Sequence, residues 1–243
     1  MLSNEYAQKG LAWAQNFLGT LYEDGHGVAR DYAQAAAWYR KAADQGYAKA
    51  QSNLGGMYAN GRGVTQDDFQ AIAWYRKAAD QGDADAQDNL GIIYDNGFGV
   101  AKDYAQASAW FREAANQGHA DAQYNLGVLY SNGQGVAKDY AQAFDWYSKA
   151  ADQDNAMAQS NLGGLYANGQ GVAKDYPQAI AWYRKAADQG NTNAECCLGR
   201  MYYNGYGVAK DENQAIAWFQ KAADQGNSDA EDVLKKLGVY SSF

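Results

Sequence analysis

The segment Asn-Gly-x-Gly-Val-x-x-Asp, with Asp in place of Asn in its first copy, recurs six times at a constant step of 36 residues. The copies begin at Asp24, Asn60, Asn96, Asn132, Asn168 and Asn204. A fixed period of about 20–50 residues is typical of proteins that stack supersecondary units, because one such unit cannot bury its apolar face alone. The pattern therefore predicts a single domain of stacked repeats over residues 1–243.

The two glycines of this segment raise the question of a phosphate site, because closely spaced glycines can let a backbone surround an anion. Six copies argue against one active site and favour a connector. In the third copy, Asn96 and Gly97 suit the left-handed end of a helix, and Asp103 suits the start of the next. Val100 is expected to dock inward, and the Asp103 carboxylate would occupy the place of an anion at the helix N-terminus.

Each repeat reads as two helices joined by this connector. Ala86, Leu90 and Ile93 share one face of the first helix, and Ala107 and Phe111 share one face of the second. Nothing in the chain reads as a strand. The expected repeats are preceded by a partial helix and followed by a cap helix; the ranges are 3–10, then 11–46, 47–82, 83–118, 119–154, 155–190 and 191–226, then 227–243.

Composition narrows the classes of function. A net charge of −8 and a pI near 4.7 argue against nucleic acid and against an anionic membrane surface. No apolar run of about 18 residues is present, so no membrane insertion is expected. The N-terminal sequence lacks the pattern of a signal peptide. The compartment stays open: cytoplasmic, or periplasmic or secreted if a signal peptide has been removed.

The sequence contains no pattern of catalytic or metal-binding residues. Cys196 and Cys197 are adjacent, which disfavours a disulfide between them and predicts two reduced thiols. His26 and His119 are far apart and have no metal-ligand spacing. No Gly-x-Ser-x-Gly or Ser-x-x-Lys nucleophile motif occurs. The expectation is a protein without enzymatic activity, metal or cofactor.

Two stretches carry a resemblance to a known family. Residues Ala86 to Val100 follow the pattern A-x-x-x-L-G-x-x-Y-x-x-G-x-G-V, and residues Ala107 to Gly118 follow A-x-x-W-F-x-x-A-A-x-x-G. The chain resembles the Sel1-like repeat (SLR) family, which is related to the tetratricopeptide repeats. The resemblance implies an all-α, right-handed α-α superhelical solenoid of 36-residue helix-turn-helix repeats. It also implies a non-enzymatic adaptor that binds proteins on a concave face lined by the first helices, as is common among bacterial members.

Two other functions remain open. Cysteine-rich bacterial members of the family carry a disulfide in each repeat and are linked to β-lactam binding or hydrolysis, but the paired cysteines are absent here. Alternatively, the incomplete N-terminal helix offers an open apolar end through which the solenoid could self-associate.

Comparison of the repeats with one another suggests a binding face. Positions that differ between repeats are spaced three, four and three residues apart on the first helices, so they share one face. Aspartates on this face lie beside apolar residues, which suits a basic protein or peptide with an apolar anchor; the alternative is an unconstrained, solvated surface. The candidate binding residues are Asn53, Asp85, Asp88, Asn89, Ile92, Asp95, Asp121, Tyr124, Asn125, Val128, Asn161, Arg200 and Tyr203.

Three further features of the sequence suggest structural roles: an asparagine ladder, a glycine inside a helix and an aspartate in place of a glycine. The asparagines 53, 89, 125 and 161 form a ladder that either holds a peptide backbone or bonds the neighbouring repeat. Gly91 interrupts a helix, which suggests that a Trp or Tyr of a neighbouring helix packs against it. Asp154 replaces a glycine found at the same position in the other repeats, so a small bend or local weakening is expected there.

Overall fold

The computed structural model describes residues 2–239 of the chain, and the side chains of residues 5–239. This part contains fourteen α-helices and no β-strand, as predicted. The helices are α1 Leu2–Gln8, α2 Ala12–Asp24, α3 Tyr32–Ala43, α4 Ala48–Asn60, α5 Asp68–Ala79, α6 Ala84–Asn96, α7 Tyr104–Asn116, α8 Ala120–Asn132, α9 Tyr140–Ala151, α10 Ala156–Asn168, α11 Tyr176–Asp188, α12 Thr192–Asn204, α13 Glu212–Ala223 and α14 Ser228–Lys236.

Consecutive helices pack in pairs within two compact units, which extend over residues 1–122 and 123–243 and are described separately. The first helix of a repeat packs on the second helix of the same repeat, for example α4 on α5 and α10 on α11. The cap helix expected over 227–243 is observed as Ser228–Lys236, and residues 240–243 lie outside the described part. The expectation of a single domain over 1–243 stays a prediction.

The caps predicted from the connector are confirmed. Gly97 ends α6 with a φ of 79°, and its amide donates to the carbonyl of Ile93 at 2.8 Å. Asp103 begins α7, and its carboxylate accepts the amides of Ala105 and Gln106 at 2.9 and 3.0 Å. The amide of Asp103 itself donates to the carbonyl of Tyr94 at 2.9 Å. This bond back to α6 takes the place of the glutamine side chain in a capping box.

The second glycine of the connector brings neighbouring repeats together. Gly99 has a φ of 67°, and a Cβ at this position would lie 2.6 Å from the Cβ of Asp68 in the preceding repeat. Gly63 and Gly171 approach the backbone of the preceding repeat still more closely. Val100 docks inward, as expected, against a core that α5 of the preceding repeat and α6 of its own repeat form together. The glycine spacing is thus explained by capping and stacking rather than by an anion.

The glycine inside each first helix is in contact with an aromatic ring, as the sequence suggested. A Cβ on Gly55 would lie 2.8 Å from the Tyr75 ring, and one on Gly127 would lie 2.7 Å from the Tyr147 ring. The contacting residue is the tyrosine or phenylalanine that follows the tryptophan of the second helix. It is not the tryptophan itself.

A chain of glutamines joins successive repeats, and sequence reasoning missed it. The side-chain amide of Gln51 donates to the carbonyl of Ala43 at 3.2 Å, and its oxygen accepts from Gln81 at 2.7 Å. Gln51 is only 5% exposed. Because a buried amide must satisfy both its donor and its acceptor, this arrangement defines the spacing between helices. The same glutamine pair recurs at residues 15 and 45, 87 and 117, 123 and 153, and 159 and 189.

The sixth repeat replaces this buried glutamine with Glu195, which is fully buried. Its carboxylate accepts from Gln225 at 2.8 Å and forms an ion pair with Lys221 at 2.9 Å. The Lys221 ammonium also lies 3.5 Å from the carbonyl of Ala187. The lysine therefore supplies the donor that a glutamine side chain supplies in the other repeats.

Candidate functional site

The predicted face of the first compact unit contains two adjoining pockets. The first, which we call the acidic pocket, has a volume of about 370 Å³. It is lined by Glu23, Ser52, Asn53, Gly56, Asn60, Arg62, Tyr75, Asp85, Asp88, Asn89, His119 and Asp121. Five of the predicted binding residues are thus brought together: Asn53, Asp85, Asp88, Asn89 and Asp121.

Several carboxylates of the acidic pocket have partners within the protein. Asp85 forms an ion pair with Lys49, and the His119 ring nitrogen lies 3.1 Å from its other oxygen. The hydrogen bond from Lys49 lowers the pKa of the Asp85 carboxyl, although partial burial acts in the opposite direction. Asp88 is 6% exposed, and both Asp88 and Asp121 make interactions within the protein.

The lining of the acidic pocket is rich in carboxylates. Four carboxylates line it, those of Glu23, Asp85, Asp88 and Asp121. Arg62 lies 3.8 Å from Glu23, and Lys49 pairs with Asp85.

The second pocket of this unit, which we call the apolar pocket, has a volume of about 290 Å³. Ile92, Ile93, Phe98 and Ala59 contribute apolar surface to it. Phe98 belongs to the connector and is 53% exposed. The two pockets share three lining residues: Asn60, Tyr75 and Asn89.

Other predicted residues lie elsewhere. Asp95 lines neither pocket, and burial raises the pKa of its carboxyl. Arg200 forms an ion pair with Asp229 at 3.2 Å in the second unit. The Tyr203 ring lies 5.3 Å from the ammonium of Lys210.

The second compact unit has a pocket of a different character, with a volume of about 510 Å³. We call it the tyrosine pocket because Tyr124, Tyr140, Tyr147 and Tyr183 line it. Among its described lining residues the one charged side chain is Lys138. Of the predicted residues, it contains Tyr124, Val128 and Asn161.

The asparagine ladder makes contacts within the protein. Asn53 donates to the side chain of Asn16 in the preceding repeat at 3.0 Å, and Asn89 donates to the Asp85 carbonyl at 2.8 Å. Asn161 lines the tyrosine pocket together with Tyr124 and Tyr147, and Asn125 also has a partner. These bonds favour the structural alternative, while contact with a peptide stays a prediction.

Metal-ligand groups, cysteine pairing and membrane-spanning helices were also considered for the described residues. No group of three or more His, Cys, Asp or Glu side chains could hold a metal ion in this part of the chain. Cys196 and Cys197 are free, and burial raises the pKa of both thiols. Between residues 2 and 239, every helix is too short or too polar to cross a bilayer.

Comparison with known proteins identifies the repeats. The model of the Sel1 repeat matches six segments of the chain: 14–47, 48–83, 84–119, 120–155, 156–191 and 193–227. The chain belongs to the Sel1 repeat family. The family fold confirms the predicted all-α architecture with repeats of about 36 residues.

Two solved structures are similar to this Sel1 repeat protein. One is c5321, a protective antigen of uropathogenic Escherichia coli with an SLR fold; it is 39% identical with a TM-score of 0.87, and the match covers 99% of this chain and 51% of c5321. This chain therefore spans about half the length of c5321. The other is a Sel1 repeat protein from Oxalobacter formigenes, 37% identical with a TM-score of 0.79, covering 88% of this chain and 85% of that protein. No curated protein sequence matches the chain.

Sel1 repeats form a scaffold that is typically used in protein–protein interaction, and proteins of this family are generally not enzymes. The homologues are bacterial.

Proposed function

We propose that this Sel1 repeat protein binds an extended segment of another protein along the face formed by its first helices, without catalysing a reaction. The observation that carries the proposal is the adjacency of the acidic and apolar pockets in the first compact unit, with shared walls at Asn60, Tyr75 and Asn89. A basic side chain and an apolar side chain on one segment would fill them together.

The spacing of an extended peptide suits this arrangement. Alternate side chains of such a peptide point in the same direction and lie about 7 Å apart, so residues i and i+2 reach neighbouring pockets. The amides of Asn60 and Asn89 donate to helix carbonyls at 2.8 Å each. Each amide keeps a second N–H donor and its oxygen acceptor, so both asparagines can bind a peptide backbone through a donor and an acceptor.

The binding face can be tested by mapping. The full chain is labelled with ¹⁵N and titrated with peptides selected from a displayed library. We expect the largest shifts at Asn89, Ile92 and Phe98. Shifts confined to the outer surface of the second helices, around Ala37 and Ala73, would contradict the proposal.

Self-association is a second candidate, and it has an observation of its own. Leu11, Trp13 and Phe17 are 42, 50 and 47% exposed on or beside α2, and the Trp13 ring lies 5.9 Å from that of Tyr6. Exposed apolar clusters of this kind commonly mark interfaces. Light scattering of the wild type and of a Trp13→Lys, Phe17→Lys variant tests it: a monomer at every concentration rejects self-association.

The β-lactam alternative rests on relatives with a disulfide in each repeat, whereas Cys196 and Cys197 are free. A nitrocefin assay on the full chain tests it. We expect no nitrocefin hydrolysis above that of a control preparation purified in the same way from cells that lack this protein.

A further inference from the structure

The connectors of the third and sixth repeats lie on the first residue of the second helix in the repeat before them. A Cβ on Gly207 would lie 2.6 Å from the Cβ of Tyr176, and one on Gly99 would lie 2.6 Å from the Cβ of Asp68. The backbones therefore meet at the same distance in both places. What differs is the side chain that the preceding repeat offers, which is a tyrosine in one place and an aspartate in the other.

In two connectors, the variable residue contacts a tyrosine of this kind. Tyr206 stacks on Tyr176, with ring centres 5.1 Å apart and an angle of 6° between the ring planes. In the connector of the second repeat, the Arg62 guanidinium lies 5.8 Å from the centre of the Tyr32 ring. The tyrosine that begins a second helix thus provides a surface for the variable connector residue of the next repeat.

Phe98 occupies the connector position of Tyr206, but Asp68 occupies the position of Tyr176. Among the described residues, no aromatic ring contacts that of Phe98. Phe98 and Asp68 both line the apolar pocket. Because aspartate has a much shorter side chain than tyrosine, the place that a tyrosine ring fills on Tyr206 is open pocket beside Phe98.

We propose that the apolar pocket binds an aromatic side chain of the bound segment, whose ring stacks on Phe98 as Tyr176 stacks on Tyr206. The pocket volume of about 290 Å³ is sufficient, since a cavity of about 150 Å³ can hold benzene. Aromatic pairs are more favourable than the burial of their area alone, so an aromatic side chain is preferred to an aliphatic one. This inference rests on the proposed function and specifies the chemistry of its apolar anchor.

Tyrosine is the aromatic residue that matches the rest of the lining. Ile92 and Ile93 contribute apolar surface, and Asp68 and Gln66 contribute side-chain oxygens. These oxygens can accept a hydrogen bond from the hydroxyl of a tyrosine, which phenylalanine lacks. A tyrosine derivative is therefore the probe of choice.

The first test needs no known partner. The full chain is labelled with ¹⁵N and titrated with N-acetyltyrosine amide and, separately, with N-acetylleucine amide. We expect the tyrosine amide to shift the backbone signals of Ile92 and Phe98 and to bind about threefold to tenfold more tightly than the leucine amide. Equal binding of the two probes, or shifts only at other residues, would overturn the inference.

Substitutions at Asp68 test whether the open place is the binding site. Asp68→Tyr supplies the ring from within the chain, so it should fill the pocket and raise the Kd of the tyrosine amide at least about tenfold. Asp68→Asn keeps the side chain short and should leave this Kd within about twofold of the wild type. Asp68→Tyr should fold, because tyrosine also begins α3, α7, α9 and α11, and its melting temperature should rise through the new ring contact.

A substitution at Phe98 tests the stacking itself. Phe98→Gln introduces the residue that the fourth and fifth repeats carry at this position. It should raise the Kd of the tyrosine amide about fivefold and that of the leucine amide by less, because the coupling needs both rings. Phe69→Ala is the matched control, since Phe69 is 73% exposed next to Asp68 and does not line the pocket. If Asp68→Tyr does not fold, Phe98→Gln decides the question.

Peptides selected from a displayed library separate this inference from the proposed function. We expect enriched peptides to carry an aromatic residue whose replacement by leucine weakens binding. If they bind the first-helix face through an aliphatic residue, and Asp68→Tyr binds them as the wild type does, the aromatic pocket is wrong and the scaffold function stands. If the tyrosine amide binds beside Phe98 but no peptide is enriched, the proposed function fails and the aromatic pocket stands.

Discussion

Individual glycines of this chain have different roles that depend on what lies beside them. Gly163 and Gly164 are neighbours in α10. A Cβ on Gly163 would lie 2.8 Å from the Tyr183 ring, whereas one on Gly164 would meet only the Tyr183 hydroxyl at 3.7 Å. Both glycines cost the helix about 1 kcal/mol relative to alanine, but only Gly163 is compensated by close packing.

This contrast predicts opposite effects of one substitution. Gly163→Ala should lower the free energy of unfolding by about 1–3 kcal/mol, because the added methyl group overpacks the contact with Tyr183. Gly164→Ala should raise it by up to about 1 kcal/mol through helix propensity. Chemical denaturation of both variants measures the difference, and equal effects would show that the ring contact is unimportant.

Asp154 is the one described residue other than glycine with a positive φ, 62°. Left-handed backbone costs an ordinary residue about 1 kcal/mol, so Asp154→Gly should stabilise the protein by about this amount. The reverse change, Gly118→Asp, should destabilise it by a similar amount, because a Cβ on Gly118 would meet nothing within 4 Å and only the backbone opposes it. Thermal unfolding compares the two; a destabilised Asp154→Gly variant would contradict this account.

At the scale of helices, the buried glutamine chain explains how successive repeats are held together. Gln51 shows the arrangement: its amide donates to the carbonyl of Ala43, at the end of the preceding second helix, and its oxygen accepts from Gln81, which follows the next second helix. Gln15, Gln87 and Gln159 make the same two bonds. In the sixth repeat, the Lys221 ammonium lies beside the Glu195 carboxylate and 5.2 Å from the centre of the Trp218 ring. In the second repeat, Lys77 lies 3.9 Å from the ring of Trp74.

The ion pair predicts a coupling between Glu195 and Lys221. Lys221→Met should lower the free energy of unfolding by about 2 kcal/mol, because a buried carboxylate loses its cation; the half-exposed lysine keeps the effect below that of a fully buried pair. Glu195→Gln should be close to neutral, because an amide restores the bonds of the other repeats. In the Glu195→Gln background, Lys221→Met should have little effect. Additive losses in this double-mutant cycle would disprove the coupling.

At the scale of the whole molecule, the chain carries a net charge of −8. Such a field attracts basic partners over a distance and is screened by salt. The association rate of a basic peptide should therefore fall about tenfold between low and high ionic strength, while its dissociation rate changes less. Stopped-flow fluorescence measures both rates, and a peptide whose basic residue is replaced by norleucine serves as the control. A salt-independent association rate would exclude electrostatic steering.

Part of the lining of the acidic pocket could be predicted from the sequence. Five residues of the predicted face, Asn53, Asp85, Asp88, Asn89 and Asp121, line one pocket, because helical spacing and the 36-residue period place them together. Their role in binding stays a prediction. The sequence could not show that Lys49 and His119 contact Asp85, since these residues come from other repeats. The sequence also could not show that Asp95 lies outside both pockets. Which pocket a residue of α6 lines depends on how this helix is rotated about its axis when it packs.

Periodicity, the glycine connector and the aspartate caps specify the helices and their order from the sequence alone, because these signals are local and are repeated six times. Tertiary packing decided the rest: which aromatic ring covers each glycine, which polar groups pair across repeats, and which remain without a partner. Gly56 and Gly164 occupy the same position of their repeats, yet Gly56 lines the acidic pocket and Gly164 lines the tyrosine pocket, whose one charged lining residue is Lys138. The difference arises because each pocket is built from side chains of several repeats, whose proximity exists only in the folded chain.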